Sequence, residues 1–277
     1  MNEAYARNVA SWEEFDELIK ELRAKSGSAS FPLLFRGQAN SERKLRTTLD
    51  RTAKKDFLFS DYYQLICGRM GPEVKTFAGV DVPEYDSKVW QEFSDVQLLM
   101  DFKFPAMDLY RYMVYLRHFG FPSPLLDWSR SPYVAAFFAF REEPIEGVTR
   151  RSIYAYCKTK PGGVVGGAVG EPTIHPIGPY VQSHQRHFRQ RCDYTICARF
   201  DTTYEQWRFD SHQKVIDNRR PGPDLLWKFD VPSAEREKVL RILNDYNLNA
   251  YSLFGSEESL LETMWLREYV LREPLSA

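Results

Sequence analysis

Between Tyr110 and Phe140 the chain is largely apolar, yet it carries His118, Asp127, Ser129, Arg130 and Ser131. A buried carboxylate is costly unless it is paired or hydrogen-bonded. A carboxylate, an imidazole and two hydroxyls set among core residues therefore read either as a site or as the caps and anchors of a turn. Arg36 is the second candidate. It follows a short apolar run, Phe31 to Phe35, and precedes Gly37 and Gln38. A guanidinium at a strand end can clamp a phosphate or a carboxylate with two hydrogen bonds, and a glycine beside it lets backbone come close. The ordinary alternative is an ion pair with a structural acid such as Asp127. A third group lies at Arg186, Arg189, Gln190 and Arg191. His184 and His187 have H-x-x-H spacing, but no carboxylate arrangement completes a metal site, and no metal is expected.

The elements that would hold these residues can be read from periodicity. Tyr110 to Phe119 has helical spacing and stops at Gly120. Pro122 and Pro124 keep the chain extended, and Leu125-Leu126 leads into Asp127-Trp128-Ser129. Ser131 suits an N-cap and Pro132 the first helical position. Tyr133 to Phe140 is apolar almost all round, as in a buried helix. Ser11 to Glu14 reads as a capping box for a helix reaching about Lys25. Phe31 to Phe35 is expected to be a buried strand, with Arg36-Gly37-Gln38 leaving its end. A helix is expected over Asp56 to Met70, a turn over Val74 to Val82, and a further helix over Lys88 to Phe104. Strands are expected at Ser152–Cys157, Tyr194–Phe200 and Leu225–Val231. Ser233 is expected to cap a helix running to Tyr246, and Ser256 one from Glu257 to Leu271. Gly162 to Gly170 has neither the lysine of a P-loop nor dinucleotide spacing, and reads as a flexible loop.

Composition bounds the function. The 277 residues are 43% hydrophobic and 15% aromatic, enough for a large core, and the net charge is −1. No overall basic excess points to nucleic acid, although a local patch remains open. The four cysteines show no C-x-x-C spacing, which fits a reducing, cytoplasmic setting. The first residues lack the apolar core of a leader, and no apolar run is long enough for a membrane span.

Six blocks, in order, give the chain a resemblance to the FRG-domain family. Ser11-Trp12 with Phe15 looks like the family's opening helix. Phe35-Arg36-Gly37-Gln38 resembles the motif that names it, and Leu45 to Arg51 the L-x-x-S/T-L-x-R element. His118 to Pro122 and Leu125 to Pro132 resemble its H-Y-G-L-P-T-R-L-L-D-W-T-x-S-P block. Arg186, Gln190 and Tyr194 resemble R-x-x-x-Q-x-G-x-F, with Cys192 in place of the glycine. Ser252-Leu253-Phe254 resembles the closing L-F-P. A more remote resemblance is to ADP-ribosyltransferases of the Arg-Ser-Glu type, which begin with an aromatic-Arg-Gly strand end and place serines before an Ala- and Phe-rich helix.

The resemblance implies a single α+β domain over residues 1–277, with a central, small, mostly antiparallel split sheet flanked by helices. Residues 1–30 would hold the opening helix, 31–254 the core and 255–277 the closing helix. It implies NAD as substrate, with Arg36, Gly37, Gln38, Arg186 and Gln190 binding it and His118, Asp127, Ser129 and Ser131 doing the chemistry. Breaking the nicotinamide glycosidic bond passes through an oxocarbenium-like state that needs charge stabilisation. No glutamate stands in the third block, so Asp127 is the expected carboxylate. Partners implied are a macromolecular acceptor, protein or nucleic acid, and an antitoxin or other regulator, in a toxin or phage-defence role. Two other readings stay open. One is a non-catalytic module that binds a nucleotide or a nucleic-acid end through Arg36, Arg186, Arg189 and Arg191. The other is a nuclease, for which no grouped acidic ligands stand out.

Overall fold

The computed structural model describes residues 5–26, 32–53, 56–99, 103–158, 170–179, 185–217 and 224–272. Its strands are β1 (Tyr5–Asn8), β2 (Leu34–Gln38), β3 (Leu126–Ser129), β4 (Arg150–Lys158), β5 (Thr173–Pro176), β6 (Cys192–Asp201), β7 (Gln206–Phe209) and β8 (Asp224–Pro232). They form one open sheet of order β1-β8-β4-β2-β3-β6-β5, with β7 also on β6. The short edge strand β1 runs parallel to β8, and the other pairs are antiparallel. The architecture is α+β. The sheet is larger than expected and is not divided in two, but its halves are joined narrowly. β2 and β3 share one ladder pair, Phe35 opposite Ser129, whereas β2 is paired with β4 along its whole length.

The helices are α1 (Trp12–Ser26), α2 (Thr48–Thr52), α3 (Phe59–Tyr63), α4 (Gly71–Ala78), α5 (Val89–Glu92), α6 (Met107–His118), α7 (Pro132–Phe140), α8 (Gln185–Arg189), α9 (His212–Asp217), α10 (Arg236–Asp245), α11 (Ala250–Phe254) and α12 (Glu257–Trp265). Several expectations are corrected. Arg36-Gly37-Gln38 lies inside β2, opposite Tyr154, Ile153 and Ser152. The expected turn over Val74–Val82 is mostly helix α4, with Pro72 in its first turn and Gly79 in the left-handed conformation at its end. Lys88–Phe104 holds only the single turn α5 among its described residues. The Asp56–Met70 helix begins at Phe59 and continues as a π-helical turn over Gln64–Arg69. Ser233 caps nothing, its buried hydroxyl having no hydrogen-bond partner, and a 3₁₀ turn leads into α10 instead. Most of the glycine-rich Gly162–Gly170 loop, and His184, lie outside the described residues.

Side chains alternate across the sheet, and three apolar clusters follow from it. Leu34, Leu126, Trp128, Tyr154, Tyr156 and Cys197 cover one face. On the other face Phe35, Ile153, Ala155 and Phe229 pack under α1, α7 and α10. Tyr194, Ile196 and Ala198 pack under α3 and α6. Asp127 and Ser129 stand opposite Tyr194 and Cys192 in register. They therefore fall on the seam between these last two clusters, where β2 and β3 part.

Candidate active site at the parting of two strands

The Phe35-Arg36-Gly37 motif divides its work by face. Phe35 is buried under α7. Gly37 points the same way, and a Cβ built there would lie 1.9 Å from the carbonyl oxygen of Ala135 and 2.6 Å from the amide nitrogen of Ala139. The helix thus rests directly on strand backbone, an approach that any side chain would block. Arg36 takes the opposite face and reaches across the gap between the strands, where its Nη1 donates to the main-chain carbonyl of Asp127 at 2.6 Å. Its Nε is buried with no partner. Burial is the largest influence on this guanidinium and brings its pKa down to about 10, so it stays cationic at neutral pH.

The Asp127 carboxylate belongs to a different arginine. Arg117, near the end of α6, donates from Nε to Oδ1 at 3.1 Å and from Nη2 to Oδ2 at 2.5 Å. Burial alone would raise the Asp127 pKa, but Arg117 and then Arg36 outweigh it and hold the carboxyl below its usual range. Next along α6, His118 Nε2 lies 3.1 Å from the hydroxyl of Tyr194. That hydroxyl also lies 3.4 Å from Nδ1 of His187.

The two serines anchor rather than line up. Ser129 donates to the carbonyl of Gln190 at 2.8 Å and accepts from the amide of Ser131 at 3.0 Å. Ser131 is the N-cap of α7, accepting from the amide of Val134. The Gln190 side chain donates to the carbonyl of Leu253 at 3.2 Å. This bond ties the end of α8 to α11. Phe254 of α11 lies under two guanidinium groups, Arg141 at 4.5 Å and Arg186 at 5.5 Å from the ring centre.

A cavity of about 710 Å³ opens at this point. Of the residues expected from sequence, Arg36, Gly37, Gln38, His118, Asp127, Ser129, Arg186 and Gln190 all line it, and Ser131 does not, because its hydroxyl is spent on the helix cap. The sequence reading missed Arg117 as the partner of Asp127. It also missed Arg43, Lys44 and Arg46, which stand on the rim with Arg51. Phe138, Phe254 and Tyr194 form an aromatic wall, and Glu142 is the other carboxylate of the lining. The nearest sequence signal for the rim was the density of basic residues between Arg43 and Arg51, which looks like any solvated stretch until the fold brings it to Arg36.

Among the described residues no group of three or more His, Cys, Asp or Glu side chains is placed to hold a metal ion. No helix among them is long and apolar enough to cross a membrane. No curated protein and no solved structure matches the chain. Residues 32–146, running from β2 past the end of α7, match the model of the FRG domain.

Proposed function

We propose that the chain is an NAD-using enzyme of ADP-ribosyltransferase type, a transferase or glycohydrolase acting as a toxin-like or phage-defence effector, with the cavity as its substrate site. The observation that carries this reading is Arg36: a partly buried cation at the parting of β2 and β3, with a buried Nε–H left without a partner in a cavity wall. Such an orphan donor calls for an acceptor from a ligand. A cavity of about 710 Å³ is also of the size that encloses a small-molecule ligand.

The lining divides into a basic part and an aromatic part, which suits a molecule with a diphosphate in the middle and a flat ring at one end. Arg36 and Arg186 hold the diphosphate. Phe138 and Phe254 flank the nicotinamide. Gln190, already held by Ser129 and Leu253, positions the ribose side of the wall. Asp127 keeps its negative charge at neutral pH and accepts from a ribose hydroxyl. Because Arg117 balances that charge, Asp127 orients the sugar more than it neutralises positive charge on it. His118, hydrogen-bonded to Tyr194, serves as the proton carrier on that side of the cavity.

Two measurements test the proposal. NAD at about 100 times its dissociation constant adds about 2.7 kcal/mol to the folded state, so the melting temperature rises. Chromatography then detects free nicotinamide. Arg36→Ala removes both signals while the ligand-free melting temperature holds. Absence of both a shift and nicotinamide release in the wild-type protein sinks the proposal.

A further inference from the structure

We infer that the macromolecule receiving ADP-ribose is a single-stranded nucleic acid, docked by its phosphate backbone along the loop between β2 and α2. The inference rests on the NAD reading for what the strand receives, and on charge and geometry for where the strand lies. The cavity is lined by seven basic side chains against the two acids Asp127 and Glu142. The surplus of five exceeds the two negative charges of a dinucleotide diphosphate. The excess is concentrated in one place, at Arg43, Lys44, Arg46 and Arg51.

None of these four makes an ion pair among the described residues, although most other arginines here do. All four are exposed. Their presentation is built into the loop. Exposed Lys44 and Arg46 alternate with buried Leu45 and Thr47. Leu45 is sunk in the core, and its amide donates to Gln213 at 2.7 Å. Thr47 and Asp50 close a reciprocal cap at the start of α2, and the Ser41 amide donates to the carbonyl of Arg150. The backbone is therefore fixed while the cations face outward. Like charges this close repel one another, and with only Glu42 and Asp50 in the same stretch against four cations, a bound polyanion relieves the repulsion.

The loop also divides the main cavity from two smaller ones. Arg43 and Lys44 line a cavity of about 250 Å³ that continues to Lys228. Arg46 lines another of about 220 Å³, but there Asp50, Asp56 and Asp210 outnumber Arg46 and Lys214, and a phosphate chain is not drawn that way. Cations thus extend from the main cavity in one direction along the surface, past Arg43 and Lys44 toward Lys228 with Glu42 the one acid of that lining, a track for a chain of phosphates rather than for one ligand. A strand on this track could present a base nitrogen or a terminal hydroxyl at the mouth; that atom bonds to the anomeric carbon of the NAD ribose as the glycosidic bond to nicotinamide breaks, nicotinamide leaves, and the acceptor's proton passes to His118. A flexible single strand can reach the mouth without unstacking a duplex.

The experiment uses the full chain and a fluorescently labelled oligothymidylate, with binding followed by anisotropy at rising potassium chloride. Each phosphate neutralised on a single strand adds about 0.7 to the salt slope. The triple variant Arg43→Ala, Lys44→Ala, Arg46→Ala is therefore expected to lower that slope by about 2 and to weaken binding at least tenfold at low salt. A double variant, Arg43→Lys with Arg46→Lys, keeps the slope and separates loss of charge from loss of fold. Incubation with NAD labelled in its adenylate phosphate then places label on the strand. An oligoribouridylate run in parallel tells RNA from DNA. No binding, or binding indifferent to the triple variant, overturns the docking track. Label on protein, or NAD consumed with the bound strand unlabelled, overturns the acceptor role. A bound strand with no NAD shift and no consumption overturns the NAD reading and the acceptor role together, and leaves the docking track standing.

Discussion

Arg117 occupies both carboxylate oxygens of Asp127, through Nε at 3.1 Å and Nη2 at 2.5 Å. The pair, not the carboxylate alone, is the unit at the floor of the cavity. Asp127→Asn leaves a largely buried guanidinium without its counter-charge, and the expected loss is about 2 kcal/mol, the scale of a charge-assisted hydrogen bond. The double variant Arg117→Met with Asp127→Asn is expected to recover part of it, since removing both charges relieves the desolvation penalty. Urea denaturation of the four proteins as a thermodynamic cycle measures the coupling. A double variant that loses the sum of the two singles means that the pair has no mutual energy.

Neighbours in the same motif should fail in different ways. Gly37→Ala pushes a methyl into the carbonyl of Ala135 and the amide of Ala139. Backbone cannot step aside as a side chain does, so the expected loss is at the top of the range for overpacking, about 3 kcal/mol or more. Arg36→Ala, one residue away, removes a half-buried cation with an unsatisfied N–H and should leave the ligand-free melting temperature nearly unchanged. Phe137→Ala, buried in the α7 cluster, should cost about 3–5 kcal/mol through the cavity it leaves. Thermal melts of the three variants order them. A Gly37→Ala protein as stable as the wild type would show that α7 can lift from β2.

Two histidines give the fold an acid limit. Burial holds both His175 and His212 down to about 3, far below the ordinary imidazole value. In the unfolded chain they protonate near pH 6.5. Between pH 6.5 and about 3 the unfolded state therefore binds more protons, and stability rises with pH across that window. Each histidine contributes at most about 1.4 kcal/mol per pH unit. His212→Gln, which keeps an amide within reach of Thr195, should flatten the slope of melting temperature against pH below 6.5. An unchanged slope assigns the acid limit to the carboxylates.

Cys192 lines the cavity but is no nucleophile. Burial first, and the nearby charge of Asp127 second, push its thiol up to about 12. Cys67 is raised to about 12 as well, mainly by burial. All four cysteines are buried thiols outside any disulfide. The native protein should take up no maleimide at pH 8, and all four thiols should react in denaturant. Mass spectrometry counts the adducts. Rapid native labelling at Cys192 would show that the thiolate is accessible and stabilised.

What could be read from sequence, and what could not, divides along physical lines. The caps and turns around α7 were legible because Ser131, Pro132 and Gly120 act through local backbone chemistry. The end of β2 was not. Arginine, glycine and glutamine carry weak strand preference, and only pairing with β4, more than a hundred residues later, extends the strand to Gln38. Likewise, most of the residues singled out from sequence line one cavity, since they are polar groups set among apolar runs whose elements meet there. That Arg117 rather than Arg36 pairs with the Asp127 carboxylate depends on where α6 lies in three dimensions. The rim of cations depends on a loop crossing, which no periodicity announces.

The single ladder pair between β2 and β3 has a consequence for the stretch that matches the FRG domain. Residues 32–146 contain both strands and the helix resting on them. Their main hydrogen-bonding partners, β4 and β6, begin at Arg150 and Cys192, beyond its end. A fragment cut at those boundaries would hold two strands touching at one residue, each with a bare edge and an uncovered apolar face. The recognisable unit of sequence is thus smaller than the unit that can fold. Expressed alone, it should aggregate, whereas a fragment reaching from α1 through α10, which cover that face, should not.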